Sequence, residues 1–363
     1  MKENNKKSKK KNLIIAGIFI ISVIIILFGG ALLYNKFFYK KSYSEVESIM
    51  LDAAKNHFKE NSDKLPQNIN DSITITLDSL VKNNKMNTVA SYTKDKNVSC
   101  EGEVKVTNIN GNYRYTPILI CDNKHRTQTL TDYIDENVDI VTDGNGLYNL
   151  NNELVYRGDD VNNYIKINTR TYRIVKIKDG HPVIILNGDS EAIQWDNRYN
   201  IENDSVEGIN DFYMSNINNY LNKLYKATSE KIKLLITRQD LPIGKRNNED
   251  TDKSGKLENA TTLPNQYVGL LPLNDFLNAS LDKNCTTSVS KSCANYNYLN
   301  NYSDIWWTMT GNSTYSYRVY AVEDIAGSIT TSRTAYVRPV LYLATDTIYV
   351  SGDGSKANPY IIK

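Results

Sequence analysis

The sequence predicts an α+β protein. A single N-terminal transmembrane helix should continue into an amphipathic helix on a small antiparallel sheet, and a β-rich α+β domain should follow. Three observations predict this. Residues 13–34 carry no charge and follow Lys9, Lys10 and Lys11. Apolar residues recur at helical spacing from Val46 to Phe58. Beyond Asn152 the chain is mostly short β-like runs separated by turns.

The uncharged run spans 22 residues. At helical rise it is about 33 Å long, enough for a hydrocarbon core of roughly 30 Å. The tail before it carries Lys2, Lys6, Lys7, Lys9, Lys10 and Lys11 against Glu3 alone. Such a flank stays cytoplasmic, which places the rest of the chain outside the cell membrane. A cleaved signal peptide would have a shorter apolar region and a better small-residue site than Gly29-Gly30-Ala31. The reading is an uncleaved single-pass signal-anchor, in contact with the lipid bilayer through residues 13–34.

The net charge of +2 hides an asymmetry. Setting aside +5 on the tail and +3 from Lys36, Lys40 and Lys41 leaves −6 on residues 42–363. A mildly acidic ectodomain argues against nucleic acid as a partner.

Val46, Ile49, Met50, Ala53, Ala54 and Phe58 form one helical stripe that Leu65-Pro66 closes off. Residues 73–77 alternate like a strand and a short helix follows at 78–81. Asn110-Gly111 is a type I′ hairpin signal. A two-residue loop there sets Cys100 opposite Cys121, at a non-hydrogen-bonded pair close enough for a disulfide. The same register puts Val104, Val106, Tyr113, Tyr115 and Leu119 on one face, and Glu101, Glu103, Lys105, Arg114 and Thr116 on the other. Cys285 and Cys293 flank a Thr/Ser-rich loop and would form the second bridge. No Cys-x-x-Cys spacing points to zinc.

The chain divides into a basic tail (1–12), the span (13–34), a stalk module (35–130), a turn-rich linker (131–152) and a C-terminal recognition domain (153–363). In that domain strands are expected at 164–167, 172–177, 183–186, 268–271, 305–309, 318–322, 328–331 and 336–343. A last pair should flank Gly352-Asp353-Gly354. Helices are expected after Ser215, over 229–236 and over 274–280.

A long helix, half in the membrane and half on a small sheet, resembles type IV pilins and pseudopilins in architecture over residues 13–130. The prepilin cleavage signature is absent, because Lys11-Asn12 precedes the run and no acid lies within it. The C-terminal block carries Val268-Gly269-Leu270-Leu271, Trp306-Trp307-Thr308, Val337-Arg338-Pro339-Val340-Leu341 and Ser351-Gly352-Asp353-Gly354 with Asn358-Pro359-Tyr360. It resembles an uncharacterised domain of gram-positive and gut-bacterial surface proteins. The Trp-Trp-Thr strand and the closing Val-Arg-Pro strand also resemble C-type-lectin-like and formylglycine-generating-enzyme-like domains.

Few residues suggest catalysis. His57, His125 and His181 are scattered. A formylglycine-generating oxidase needs free copper-binding cysteines, whereas Cys285 and Cys293 read as a staple. Asp250, Asp252, Ser254 and Gly255 match the first half of a calcium loop with Glu258 behind, but Thr261 stands where a bidentate Glu is needed. Calcium is thus the one cofactor to test, and otherwise none is expected. Tyr296, Tyr298, Tyr302, Tyr315 and Tyr317 cluster around Trp306-Trp307. Adjacent strand residues point to opposite faces, so one Trp should be core and the other available. Trp306, Trp307, Tyr315 and Tyr317 are the candidate binding residues, and Arg338 reads as a buried structural partner. The expected function is non-catalytic binding or adhesion at a bacterial surface, toward a glycan, cell-wall or protein ligand. A pilin-like filament or secretion subunit is the alternative, ahead of an enzyme.

Overall fold

The computed structural model describes residues 40–188, 191–301, 304–323 and 326–363. The expected tail and span, the start of the stalk and Tyr302 lie outside the described residues. No helix among the described residues is long and apolar enough to cross a membrane. The fold is α+β, and its contacts divide it into two units. One holds the described part of Met1–Lys64 with Thr74–Val104 and Pro117–Arg126. The other holds Leu65–Ile73, Lys105–Thr116 and Thr127–Lys363.

In the first unit, α1 (Tyr43–Glu60) starts at a capping box in which Ser42 and Glu45 satisfy each other's backbone N–H. Val46, Met50, Ala53, Ala54 and Phe58 are buried along one stripe. β1 (Ser72–Thr76) and α2 (Leu77–Lys82) follow. β2 (Cys100–Ile109), β3 (Asn112–Cys121) and β4 (His125–Arg126) complete a four-stranded sheet in the order β1-β2-β3-β4. Gly102 leaves the space on β2 that the Met50 side chain of α1 approaches.

The β2–β3 turn is as the sequence requires. Asn110 and Gly111 have φ of 56° and 89°, both left-handed, as a type I′ turn demands. Cys100 and Cys121 are disulfide-bonded with Cα atoms 4.1 Å apart, so the register is the expected one. Cys285 and Cys293 form the second bridge, and no cysteine is free.

Beyond Thr127 the larger unit continues with α3 (Leu130–Asn137), capped reciprocally by Thr129 and Asp132. β5 (Gly146–Leu150) pairs with β6 (Glu153–Arg157). The expected linker 131–152 is therefore a folded part of this unit; its turn residues separate elements, and Leu130, Ile134 and Leu147 are buried. β7 (Tyr164–Ile167), β8 (Arg170–Lys178) and β9 (His181–Leu186) form a meander. β6 and β7 each pair with part of β8. A bulge interrupts β8 between Ile174 and Lys176.

β10 (Ala192–Gln194), α4 (Asn216–Ala227), the ribbon β11 (Gln239–Pro242) and β12 (Thr262–Gln266), β13 (Val268–Gly269) and α5 (Leu273–Ala279) come next. β14 (Trp306–Gly311), β15 (Arg318–Val322), β16 (Ala326–Thr330), β17 (Thr334–Tyr336), β18 (Val340–Tyr342), β19 (Tyr349–Ser351) and β20 (Tyr360–Ile362) close the chain. They complete a five-stranded sheet, β10-β17-β14-β15-β16, and a larger one, β13-β18-β9-β8-β7-β20-β19, that also takes in β5 and β6. The single strand expected at 336–343 is two strands in two sheets. Pro339 cannot donate to a ladder, and the chain changes sheet across Val337-Arg338-Pro339.

Candidate functional site

The Trp-Trp strand is core on both sides. Trp306 and Trp307 are both 0% exposed. They do face opposite ways. Trp307 packs on Trp195 at 5.7 Å and donates its indole N–H to the Ile193 carbonyl at 2.9 Å. Trp306 packs on Phe276 at 6.1 Å beneath the Arg338 guanidinium. The expectation that one indole would be available is thus corrected. Alternation exposes a side chain only where one sheet face meets water, and all six residues of β14 are buried. Arg338 is also buried and donates to the Leu186 and Leu299 carbonyls.

Tyr315 and Tyr317 lie at the other end of the same hairpin. Tyr315 is exposed and Tyr317 half-buried, with rings edge-to-face at 5.9 Å. They adjoin a segment that the sequence analysis passed over, the loop from Asp196 to Ser215. Its turns are held by buried polar side chains. The Asp196 carboxylate accepts from Ile209 N–H at 2.7 Å and from Arg198 Nε at 2.9 Å. Asn200, also buried, donates to the Gly208 carbonyl at 2.9 Å and to Ser316 Oγ at 3.1 Å, and accepts from Glu202 N–H. Asn200 and Ser205 exchange backbone hydrogen bonds across the tip. Asn210 donates to the Asn312 and Arg318 carbonyls at 2.7 and 2.8 Å. On this frame Tyr199, Ile201, Val206, Tyr213 and Met214 all point outward, Ile201 at 85% exposure and Val206 at 71%. Clustered large apolar groups in solvent are unusual and mark contact surfaces. The detectable sequence signal was apolar residues inside an Asn/Asp/Ser-rich stretch.

The calcium-loop candidates Asp250, Asp252, Ser254 and Glu258 surround a cation from the chain itself. The loop is folded around Arg246, which is wholly buried. Arg246 Nη1 pairs with Glu258 Oε1 at 3.0 Å, Nη2 donates to the Asp252 carbonyl at 2.5 Å, and Nε donates to Ser288 Oγ at 3.0 Å. The Asp250 and Asp252 carboxylates turn to local amides, Asn247 N–H at 2.8 Å and Ser254 N–H at 2.7 Å. Ser254 Oγ accepts from Lys256 N–H. The guanidinium neutralises the buried Glu258 carboxylate and satisfies a loop carbonyl at once. Burial raises the Glu258 pKa against the pull of Arg246, whereas the Ser254 hydrogen bonds lower that of Asp252. Among the described residues no group of three His, Cys, Asp or Glu side chains is placed to hold a metal.

The histidines have separate surroundings. His125 Nε2 lies 2.8 Å from Glu47 Oε1 and stacks on Tyr43, His181 Nδ1 meets the Leu343 carbonyl at 2.8 Å, and His57 packs edge-on to Phe58. A second buried charge lies deeper in the larger unit. Lys176 Nζ on β8 is 2.8 Å from Glu153 Oε2 on β6 and 2.9 Å from Asp275 Oδ1 on α5. Burial would lower its pKa, but Asp275 and Glu153 together raise it well above the usual lysine range.

Compared with known proteins, the chain matches no family model, no curated protein and no solved structure. The reading of function therefore rests on the residues themselves. A cavity of about 280 Å³, lined by Tyr172, Leu186, Leu224, Ile232, Val268 and Leu341 among others, is apolar. It lies at the lower limit for a small-molecule site, roughly 300 Å³. The 196–215 loop, rigidly framed and apolar at its tips, is the stronger candidate for contact with another molecule.

Proposed function

We propose that this chain is a membrane-anchored bacterial surface protein whose larger unit binds a protein ligand, without catalysis, through the 196–215 loop and Tyr315. The outward apolar tips on a hydrogen-bonded frame carry this reading. Ile201, Val206 and Met214 are aliphatic tips, suited to an apolar cleft on a protein, whereas sugar rings call for open aromatic faces. A loop already fixed by Asp196, Asn200 and Asn210 loses little entropy on binding. Two disulfides suit an oxidising, extracellular compartment. The lysine-flanked run at 13–34 supplies the anchor. On the same reading the helix-on-sheet unit is a pilin-like stalk, and the larger unit is C-type-lectin-like.

The test is adhesion of cells displaying the full chain to surfaces coated with envelope proteins or with glycans. Binding to protein should be lost when Ile201→Asp and Val206→Asp are combined, with the melting temperature unchanged. Binding that survives both substitutions, or that is confined to glycans, overturns the proposal.

A further inference from the structure

The 196–215 segment carries charge as well as apolar tips, and nearly all of that charge has one sign. Its acids are Asp196, Glu202, Asp204, Glu207 and Asp211, and its one cation is Arg198. Arg198 is committed to the buried Asp196 carboxylate, with Nε 2.9 Å from Oδ2. Glu202, Asp204, Glu207 and Asp211 make no ion pair among the described residues. Three of them are fixed by neutral donors instead. The Tyr199 hydroxyl donates to the Asp204 carboxylate. Asn203 Nδ2 donates to Glu207 Oε2 at 3.1 Å, and the Tyr213 N–H donates to Asp211 Oδ1 at 3.0 Å. Glu202 is exposed. Neutral donors orient a carboxylate without cancelling its charge, whereas Glu153 and Glu258 in the same unit each face a cation.

The acids and the apolar tips share the same turns. Asn200 and Ser205 exchange backbone hydrogen bonds at 2.7 and 3.2 Å, so residues 201–204 form a tight tip. Ile201 and Glu202 are neighbours on it, and Asp204 closes it in the left-handed region at φ 49°. Val206 and Glu207 follow directly, and Asp211 stands just before Tyr213 and Met214. Each exposed apolar tip is thus set beside a carboxylate that the chain leaves unneutralised. Such a surface fits one kind of occupant. An apolar recess edged by lysine or arginine buries the tips and meets the carboxylates with opposite charge. A recess with a neutral or acidic edge would bury the tips but strip water from the carboxylates with nothing in return. An anionic bilayer surface would repel them. We propose that the 196–215 loop binds a protein whose apolar cleft is rimmed by lysine or arginine side chains. This rests on the binding role given to the loop and adds the charge of its partner. The tips supply the buried contact, and the carboxylates set orientation and speed of encounter, as rim charges do.

Cells displaying the full chain test this on surfaces coated with bacterial envelope proteins, separated at neutral pH into those a cation-exchange resin retains and those it passes. Adhesion should be confined to the retained proteins. Raising NaCl from about 0.1 M to about 1 M shortens the screening length from about 10 Å to about 3 Å and should cut adhesion about fivefold. Glu202→Gln, Asp204→Asn, Glu207→Gln and Asp211→Asn together keep an accepting oxygen at each position and remove the charge. That chain should adhere about tenfold less at low salt, lose its salt dependence and keep its melting temperature. Ile201→Ser with Val206→Ser removes the tips without touching the charge and should reduce adhesion to background. Adhesion that the serine pair abolishes, but that ignores salt and the four amides or favours the proteins the resin passes, overturns the basic partner and leaves the binding role standing. Adhesion that survives the serine pair overturns both. Binding of the wild-type chain to phosphatidylcholine vesicles that the serine pair abolishes makes the occupant a bilayer and overturns the protein partner.

Discussion

β14 and the 196–215 loop are both rich in large apolar side chains, yet they put them in opposite places. β14 is a central strand, covered on both faces, and Trp306 and Trp307 are sealed in. The loop has no sheet to bury against. Its polar residues, Asp196, Asn200 and Asn210, turn inward to satisfy backbone groups, and apart from Phe212, which packs on Trp195 in the core, its large apolar residues Tyr199, Ile201, Val206, Tyr213 and Met214 are left in solvent. At the tips of this loop the usual arrangement of polar surface over apolar core is inverted. Aromatic content alone therefore does not locate a recognition surface; what matters is which groups the backbone's own hydrogen bonds consume.

The largest effect that would sharpen this contrast is at β14. Trp306→Ala should cost about 3–5 kcal/mol, because it opens a cavity against Phe276 and leaves Arg338 without its aromatic partner. Denaturant unfolding of the full chain measures it, and a loss below about 1 kcal/mol would mean the strand is not core. The frame of the loop comes next. Asn200→Ala strands the Gly208 carbonyl and the Glu202 N–H and should cost about 1–3 kcal/mol, with ligand binding weakened as well. Preserved binding in a destabilised Asn200→Ala chain would show that the frame does not position the tips.

What could be read from the sequence follows from the range of the interactions. The hairpin was legible to the residue, since Asn110-Gly111, Cys100 and Cys121 sit in one local register. The stripe of α1 was legible for the same reason. The break at Val337-Arg338-Pro339 was not, because an apolar run looks continuous whether it stays in one sheet or crosses to another. The role of Arg246 beside the calcium-like spacing was not legible, because it precedes the motif and nothing in the spacing shows its guanidinium turning back into it. The Lys176 cluster draws on β6, β8 and α5, so only the tertiary fold assembles it. Ile201 and Val206 stood out only as apolar residues inside an Asn/Asp/Ser-rich stretch, and it is their hydrogen-bonded neighbours that show they face outward.

Between the sealed strand and the open loop stands the Arg246 loop, which has one buried carboxylate and one near solvent, and pH separates them. Burial raises Glu258, so the folded state holds its proton more tightly than the unfolded chain does. That contribution is fully present below the unfolded value, about 4.3, and is lost as pH rises through the folded one. Asp252 is lowered by its hydrogen bonds to Ser254, so its contribution is present above the unfolded value, about 3.9, and is lost as pH falls through the folded one. On acidification Glu258 should therefore protonate first, with the Ser254 amide still protected. That protection should fall only at lower pH, when Asp252 releases it. Carboxylate titration and Ser254 amide exchange, followed together by NMR, measure the order. The expected effect is small, because Asp252 lies close to water. If Ser254 loses protection while Glu258 is still titrating, the two carboxylates act as one unit, and the loop belongs with the sealed core rather than between the two extremes.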